Sequence, residues 1–445
     1  MRRWPERLAL VVGGPLVLFG LLEGGFWLLG VADEPSVAAA IEYPFDPEAL
    51  RGRLRATGER PLVLCLGDSS LAGYPLDLNV ATDAGFSACD QVAAALGLPA
   101  VNVAQGGLSL RHVADRAEVA CERRLPPGSL VLLYAGHNEF LNLPRAPPVV
   151  RTLSRLRTFR LLRRWLGPST GGTEGLAFAG EALTDRDDVL AATEVALRRL
   201  VTACRAQPLV VSTLVGNPDF HVPELPELTD GGETLRDYLR RGGQAGPSRE
   251  LLIAPPEVDA AIVRVTSEAG VPLLDAAPLA HGDSMALFLD WVHPTGELHR
   301  RLAAGFLETA RRAGLVGASR APVVGVAPGR LQWALERAAV VNVKLDPRFA
   351  LAQLRTLTAP QDVIRVGLAR LVAGFLLDAP GDVAAGVALV SGRREALARC
   401  LAPGAAEACL PWPSRAVLSA AERAELVAQL KDRAPPELVR FLERF

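Results

Sequence analysis

Lysine is nearly absent from this chain: Lys344 and Lys431 are its only two, and every other basic residue is arginine. Aromatic residues are scarce as well, at 5%, while alanine, leucine, glycine and proline abound. Together these read as coding bias, so the arginines do not by themselves mark a binding surface. Neither sign of charge is in excess. The 48 Lys and Arg stand against 49 Asp and Glu, for a net charge of −1, which leaves no electrostatic footprint of a nucleic-acid partner. No His-Glu-x-x-His occurs, so that zinc-hydrolase signature is excluded. No convincing internal period occurs either, which argues against a repeat array. What is left is 445 residues, 49% hydrophobic and 22% charged, an ordinary globular composition with room for two domains or one large one.

The N-terminus departs from that ordinariness. Arg2, Arg3 and Arg7 precede an apolar run from Leu8 to Leu22. After Glu23 the run resumes from Gly24 to Val31. The whole is long enough to span a bilayer. Arginines before such a span stay on the cytoplasmic side, which puts the rest of the chain outside. The rival reading is a cleaved signal peptide, but no small-x-small site follows at the right distance, Ala38–Ala40 being too far along. Residues 1–32 are therefore read as an uncleaved, single-pass anchor that meets the membrane through residues 8–31. The expected setting is a bacterial inner membrane with the main body in the periplasm. Glu23 is costly in a bilayer core and belongs near the outer interface or against another helix. In such a compartment the six cysteines can pair. Cys400 and Cys409, flanking a Pro-Gly turn, are the best candidate pair. Cys65 is expected to be a buried thiol. The partners of Cys89, Cys121 and Cys204 stay open.

Residues 33–60, with three prolines and an arginine-rich patch, read as a linker. From Pro61 the pattern becomes regular. Apolar strand runs occur at Leu62–Leu66, Pro99–Ala104, Ser129–Ala135, Pro208–Val215 and Val271–Asp275. Helical patterns at Ala84–Leu96, Leu110–Arg124, Asp187–Ala206 and Pro256–Ala269 alternate with them, and a last helix, capped by Thr295, runs to about Ala313. Continuous apolar strands between amphipathic helices predict an α/β fold: a doubly wound parallel sheet of five strands in flavodoxin-like order, over residues 61–316. Two insertions interrupt it, Pro144–Asp185 and Gly216–Pro255. The first carries Arg151, Arg155, Arg157, Arg160, Arg163 and Arg164, either a basic amphipathic helix for an anionic surface or a solvated helix face. Beyond Pro322 and Pro328, residues 317–445 are mostly helical, and Ser419 with Glu422 has the form of a capping box. No polar constellation in that region suggests a second active site.

In open α/β sheets the chemistry gathers at the carboxyl ends of the strands. Gly67-Asp68-Ser69 follows the first strand, Gly107 the second and Gly136-His137-Asn138-Glu139 the third. Asp290 and His293, in DWVHP, come after the fifth. One GDS alone means little: His281-Gly282-Asp283-Ser284 holds another, with no strand feeding it. Four blocks in this order are specific, and they resemble the SGNH hydrolases, also called the GDSL esterase superfamily, over roughly Pro61 to Leu315. The resemblance implies a serine hydrolase with a catalytic triad of Ser69 as nucleophile, His293 as base and Asp290 orienting the imidazole. It implies an oxyanion hole made by the backbone N–H of Ser69, the backbone N–H of Gly107 and the side-chain amide of Asn138.

The fit has departures. The family's third block usually reads Gly-x-Asn-Asp, whereas Glu139 follows Asn138 here. Leu71 stands where the Gly-x-Ser-x-Gly elbow of α/β-hydrolases would end. His137-x-Glu139 has no Pro-Cys-x-x-Cys to complete a zinc-deaminase site, so no metal and no cofactor are expected. His137, His281 and His299 read as structural or solvated. Tyr74 and Trp291 read as pocket-lining, core or rim. The function expected is hydrolysis of an O-acyl ester, on a carbohydrate or a small molecule, through an acyl-Ser69 intermediate. An O-acyltransferase using the same triad is the first alternative. An inactive binding or assembly module, with the anchor and helical region as its purpose, is the second; the intact Ser69, Asp290 and His293 speak against it.

Overall fold

A computed structural model describes residues 45–73, 87–140, 158, 186–220, 235–240, 255–317, 322–323, 328–401, 409 and 417–444. The apolar segment 8–31, Tyr74, the arginines of the first insertion and most of the second lie outside these residues. Among the described residues no helix is long and apolar enough to cross a membrane.

The five expected strands are present: β1 Val63–Gly67, β2 Ala100–Asn102, β3 Leu130–Tyr134, β4 Leu209–Ser212 and β5 Leu273–Leu274. They pair in parallel in the order β2-β1-β3-β4-β5, the flavodoxin-like winding. Every residue of β1, β3 and β4 is buried, as a sheet covered on both faces requires.

The helices of this part are α1 Pro47–Ala56, α2 Ser69–Ala72, α3 Ala88–Leu96, α4 Leu110–Ala120, α5 Arg186–Ala203, α6 Leu235–Arg240, α7 Pro256–Ala269, α8 Ser284–Leu287 and α9 Gly296–Arg312. They pack in two groups, α3 with α9, and α4, α5 and α7 in a row. One group covers each face of the sheet. Their boundaries follow from capping chemistry. Ser87 caps α3 and Thr295 caps α9, each accepting a first-turn N–H. Gly97 and Gly270 end α3 and α7 in the left-handed conformation.

The linker expectation for residues 33–60 needs correction, because α1 lies within it. Asp46 accepts the N–H groups of Glu48 and Ala49, Pro47 occupies the first turn, and Leu50 is buried. An Asp-Pro pair is a standard helix start. Arg53 donates to the Asn102 carbonyl, and Arg51 pairs with Glu122, so α1 is seated on the fold.

The remaining helices are α10 Pro328–Asn342, α11 Pro347–Thr356, α12 Val363–Leu376, α13 Pro380–Ser391, α14 Arg394–Cys400, α15 Ala420–Leu430 and α16 Pro436–Arg444. They enclose their own apolar core, from Ala339 to Leu442. The capping box forms, Ser419 taking the Glu422 N–H while the Glu422 carboxylate takes that of Ser419. Gly386 permits the close approach of α12 and α13. A Cβ there would lie 2.7 Å from the Gly367 carbonyl oxygen and from the Leu371 nitrogen.

Cys400 and Cys409 are bonded as expected, and Cys121 pairs with Cys204. Cys65 is not a free thiol. It is bonded to Cys89. Both are fully buried, one on β1 and the other in the first turn of α3, which packs against that strand. Burial of the strand was legible from its own residues, whereas the facing helix residue was not.

Loop closure separates the longest of the three bridges from the shortest. Cys121–Cys204 spans 83 positions and Cys400–Cys409 spans 9. Replacing the first pair by alanine should lower unfolding free energy by about 4.5 kcal/mol, and the second by about 2.5 kcal/mol, on the chain-entropy model. Urea unfolding of the two double variants checks the order; equal losses would contradict it.

Candidate active site

Gly67 ends β1 with no room for a side chain. A Cβ there would lie 2.5 Å from the Tyr134 carbonyl oxygen and 2.7 Å from the Leu71 Cβ. The absent side chain lets the chain turn at once into α2, folding Leu71 back onto the strand. Ser69 is the first residue of that one-turn helix, so its N–H belongs to the first turn, whose amides have no intrahelical acceptor. Ser69 lies at the carboxyl edge of the sheet and is 7% exposed.

Asp290 and His293 arrive on a tight loop between α8 and α9. Phe288 and Pro294 form an antiparallel bridge, and the Leu289 N–H donates to the His293 carbonyl at 2.8 Å. Inside the loop, Asp290 Oδ1 accepts the N–H groups of Val292 and His293 at 3.0 and 2.9 Å. Asp290 Oδ2 lies 2.6 Å from His293 Nδ1, and His293 Nε2 lies 2.8 Å from Ser69 Oγ. The three predicted residues are thus in line, although Ser69 and His293 are 224 positions apart. Burial alone would raise the Asp290 carboxyl. The positive charge and hydrogen bond of His293, with the two backbone donors, outweigh it and hold the group below the usual carboxylate range.

The second and third blocks meet near Ser69. A Cβ on Gly106 would sit 3.9 Å from the Ser69 Cβ, so the segment carrying Gly107, at φ +80°, passes beside the serine. Asn138 Nδ2 donates to the Leu108 carbonyl at 3.0 Å. That bond uses one of two amide hydrogens and ties the third block to the second.

Two structural groups were not singled out in the sequence. The first is Asp68, fully buried beside Ser69. Its Oδ1 accepts the Ser70 N–H at 2.9 Å. Its Oδ2 accepts the N–H groups of Gly136 and His137 at 3.2 Å each and lies 2.8 Å from His137 Nδ1. Here too burial alone would raise the carboxyl, and the charge and hydrogen bonds of His137 and the backbone donors hold it low. The second is Asn217, beyond the end of β4, whose side chain donates to the Asp290 carbonyl at 2.9 Å and whose N–H donates to that of Trp291 at 2.8 Å. The strand-end rule that selected Ser69, Gly107 and Asn138 would also have selected Asn217.

The remaining histidines take the structural roles expected of them. His137 is the buried partner of Asp68. His299 is fully buried and accepts the Ala88 N–H at the start of α3 through Nδ1. Burial, then the charge of His293, pushes its pKa down to about 3, so it stays neutral. His281 is exposed. Trp291 is buried edge-on against Phe220 in an apolar cluster with Leu345 and Phe349, a core role. The second GDS serine, Ser284, merely starts α8, which Asp283 caps.

Glu139, where the shorter aspartate is usual, bridges two helices. Oε1 accepts the Leu110 N–H at 2.6 Å, and Oε2 accepts from Thr193 Oγ1 at 3.0 Å, so the turn bearing Asn138 is joined to α4 and α5. Burial drives its pKa up to about 7 against those hydrogen bonds.

Three comparisons can be set beside this geometry. The model of the GDSL-like Lipase/Acylhydrolase family matches residues 65–301, more than half of the chain. None of the curated proteins matches. Among solved structures, a GDSL-like lipase from Bacteroides thetaiotaomicron is 13% identical, with TM-score 0.33, over 60% of this chain and 98% of its own. A lipase/acylhydrolase from Enterococcus faecalis is 17% identical, with TM-score 0.33, over 59% and 100%. Likeness at this level adds nothing to the family match.

The raised Glu139 carboxyl predicts a pH dependence of stability. Between about pH 4.5 and 7 the native chain holds this proton more tightly than the unfolded chain. The group therefore favours folding most at and below pH 4.5, and that contribution is lost as pH rises to 7. Relative to Glu139→Gln, the wild type should lose up to roughly 3 kcal/mol of stability across that interval. Paired urea titrations at the two pH values check this, and a constant difference would show that Glu139 is not held protonated.

Proposed function

Since the chain belongs to the GDSL-like lipase/acylhydrolase family, whose activity is ester hydrolysis, we propose that it is a serine esterase that removes an O-acyl group from a cell-envelope carbohydrate while anchored by residues 8–31 with its body outside the cytoplasm. One observation carries the chemistry: the unbroken line from Ser69 Oγ through His293 to the Asp290 carboxylate.

Ser69 Oγ attacks the acyl carbonyl as His293 Nε2 takes its proton. Asp290 holds the imidazole by Nδ1 and stabilises the imidazolium. The tetrahedral oxyanion is met by the N–H groups of Ser69 and Gly107 and by the second amide hydrogen of Asn138. His293 then protonates the departing alkoxide, leaving acyl-Ser69. A water activated by the same imidazole releases the acid and restores the serine. Asp68 and Glu139 act earlier, by fixing where Ser69 and Asn138 stand. No step calls for a metal or cofactor.

The location rests on different support: the arginines ahead of an apolar run of spanning length, and three disulfides that use all six cysteines, as suits an oxidising compartment. A carbohydrate substrate accords with that location, since envelope glycans are where O-acyl groups meet an anchored enzyme. Hydrolysis is ranked above transfer because one membrane segment offers no route for an acyl donor from the cytoplasm.

A fluorophosphonate should label the chain at Ser69 alone and fail with Ser69→Ala; labelling at Ser284 would overturn the assignment. Asn138→Ala should lower kcat on a simple acetyl ester by about 100- to 1000-fold, the usual loss for one oxyanion donor. Free acetate should accumulate without any glycan acceptor. Acetyl groups appearing on an added oligosaccharide, with little free acetate, would establish transfer instead.

A further inference from the structure

The loop that carries Asp290 and His293 is held from two sides. On the sheet side, Asn217 takes the carbonyls of Asp290 and Trp291. On the other side the partners come from beyond the family match, which ends at residue 301. The Leu289 carbonyl, one peptide before Asp290, accepts from Asn342 Nδ2 and from Gln353 Nε2, both at 2.8 Å. Asn342 Nδ2 also donates to Gln353 Oε1 at 3.0 Å, which closes a triangle and fixes both amide orientations.

All three residues are at most 1% exposed. A buried carbonyl with both lone pairs engaged is fully satisfied, and removing its donors leaves it without water to replace them. The apolar surroundings run the same way. Leu289 packs with Ala334 and Ala338 of α10, and Trp291 and Val292 pack with Leu345 and Phe349. The helical region therefore reaches the loop at its root by hydrogen bonds and at its tip by packing.

Resting on the serine-esterase reading above, we infer that Asn342 and Gln353 are positioning residues, which hold the loop through the Leu289 carbonyl at the height where His293 Nε2 meets Ser69 Oγ. The helical region thereby completes an active site whose reacting groups all lie elsewhere. Within the loop, Asp290 and His293 are bonded to each other, so they move as a unit. Loss of the brace leaves their mutual bond intact and changes the reach from His293 to Ser69. The proton relay is then weakened at the step where Ser69 attacks, while substrate contacts stay as they were.

The test uses the full chain with Asn342→Leu and Gln353→Met together, which keep volume and remove both donors. With p-nitrophenyl acetate, kcat should fall about ten- to a hundredfold, as slight misplacement of a reacting group does. KM should stay within about twofold, because no group that contacts substrate is altered. Arg355→Ala with Arg370→Ala strips Asp382 of its ion pairs in the same helical region. That control should lower Tm and leave kcat at the wild-type value. Wild-type kcat in the folded Asn342/Gln353 variant would overturn the inference. So would an equal loss of kcat in the arginine control, since any loosening of the region would then suffice. If the double variant does not fold, Gln353→Met alone is judged by the same criteria. A wild-type chain without esterase activity would refute the serine-esterase reading, and the brace is then judged by the 19F line of 5-fluorotryptophan at Trp291, assigned with Trp291→Phe. A shift in the Asn342/Gln353 variant keeps the brace, and an unmoved line removes it.

Discussion

The site depends first on the buried carboxylate of Asp68. A carboxylate taken out of water costs several kcal/mol unless donors replace its hydration. Here the N–H groups of Ser70, Gly136 and His137 and the His137 imidazole supply them. These donors belong to two different strand ends, because Ser70 follows β1 while Gly136 and His137 follow β3. The carboxylate therefore cannot be satisfied unless the two ends are brought together. Its neighbours in sequence are the residues to which the proposed mechanism assigns the chemistry. Ser69 is next to Asp68, and Asn138 is next to His137. Gly136 makes the approach possible, with φ +132°, a conformation that side-chain-bearing residues rarely adopt, and little space for a Cβ between Val258 and Leu214. A single electrostatic requirement thus ties the turn that bears Ser69 to the turn that bears Asn138.

The loop that carries Asp290 and His293 is positioned differently. No strand delivers His293. The five-stranded sheet ends with β5, and α8 intervenes before the loop begins. The loop must take its shape from its own hydrogen bonds, with Asp290 Oδ1 gathering the amides of Val292 and His293. One carboxylate consequently has two tasks: Oδ1 folds the loop and Oδ2 orients the imidazole. That economy explains the three-residue spacing of Asp290 and His293, since the same turn that satisfies Oδ1 brings the His293 ring back over the acid. It also means that the loop is internally rigid and externally dependent, and its seating on the sheet comes from Asn217.

Much of this was legible in the sequence. Strand positions and the winding order followed from apolar runs alternating with helices, and Ser69 stood out because a parallel sheet places its strand ends on one edge; Asp290 and His293 came instead from the resemblance of DWVHP to the last block of the family. What escaped was whatever depends on two distant segments meeting. Cys65 looked like an ordinary strand residue until α3 set Cys89 against it. Asp68 looked like part of a turn, and nothing near it in sequence announces His137 as its partner. The helix start at Asp46–Pro47 was a local signal and could have been read, but it was outvoted by the prolines around it. The strand bounds shrank for a related reason. Val271–Asp275 was read from apolar character, yet β5 pairs on only one side, with β4, and only Leu273 and Leu274 enter the ladder.

Arginine abundance illustrates how far composition can mislead in the other direction. Many ion pairs among the described residues are exposed, as with Arg198 and Glu268, and such pairs contribute about 0–1 kcal/mol each. They support the view that the residue type reflects coding bias. Arg236 is different. It is 4% exposed, its guanidinium lies 3.7 Å from the centre of the Phe375 ring, and it donates to Asp378 and Glu425. A planar cation with several donors can stack and bridge two carboxylates at once, which a lysine cannot do. Arg236 sits on α6, within the second insertion of the α/β part, whereas Phe375, Asp378 and Glu425 belong to the helical region. Arg240 on the same helix also pairs with Asp378. The guanidinium is buried while both carboxylates are half-exposed, so pulling the parts of the chain apart would strip the buried cation of its partners. The described part of the insertion is therefore fastened to the helical region, and the two parts of the chain are joined by a desolvated cation as well as by apolar packing.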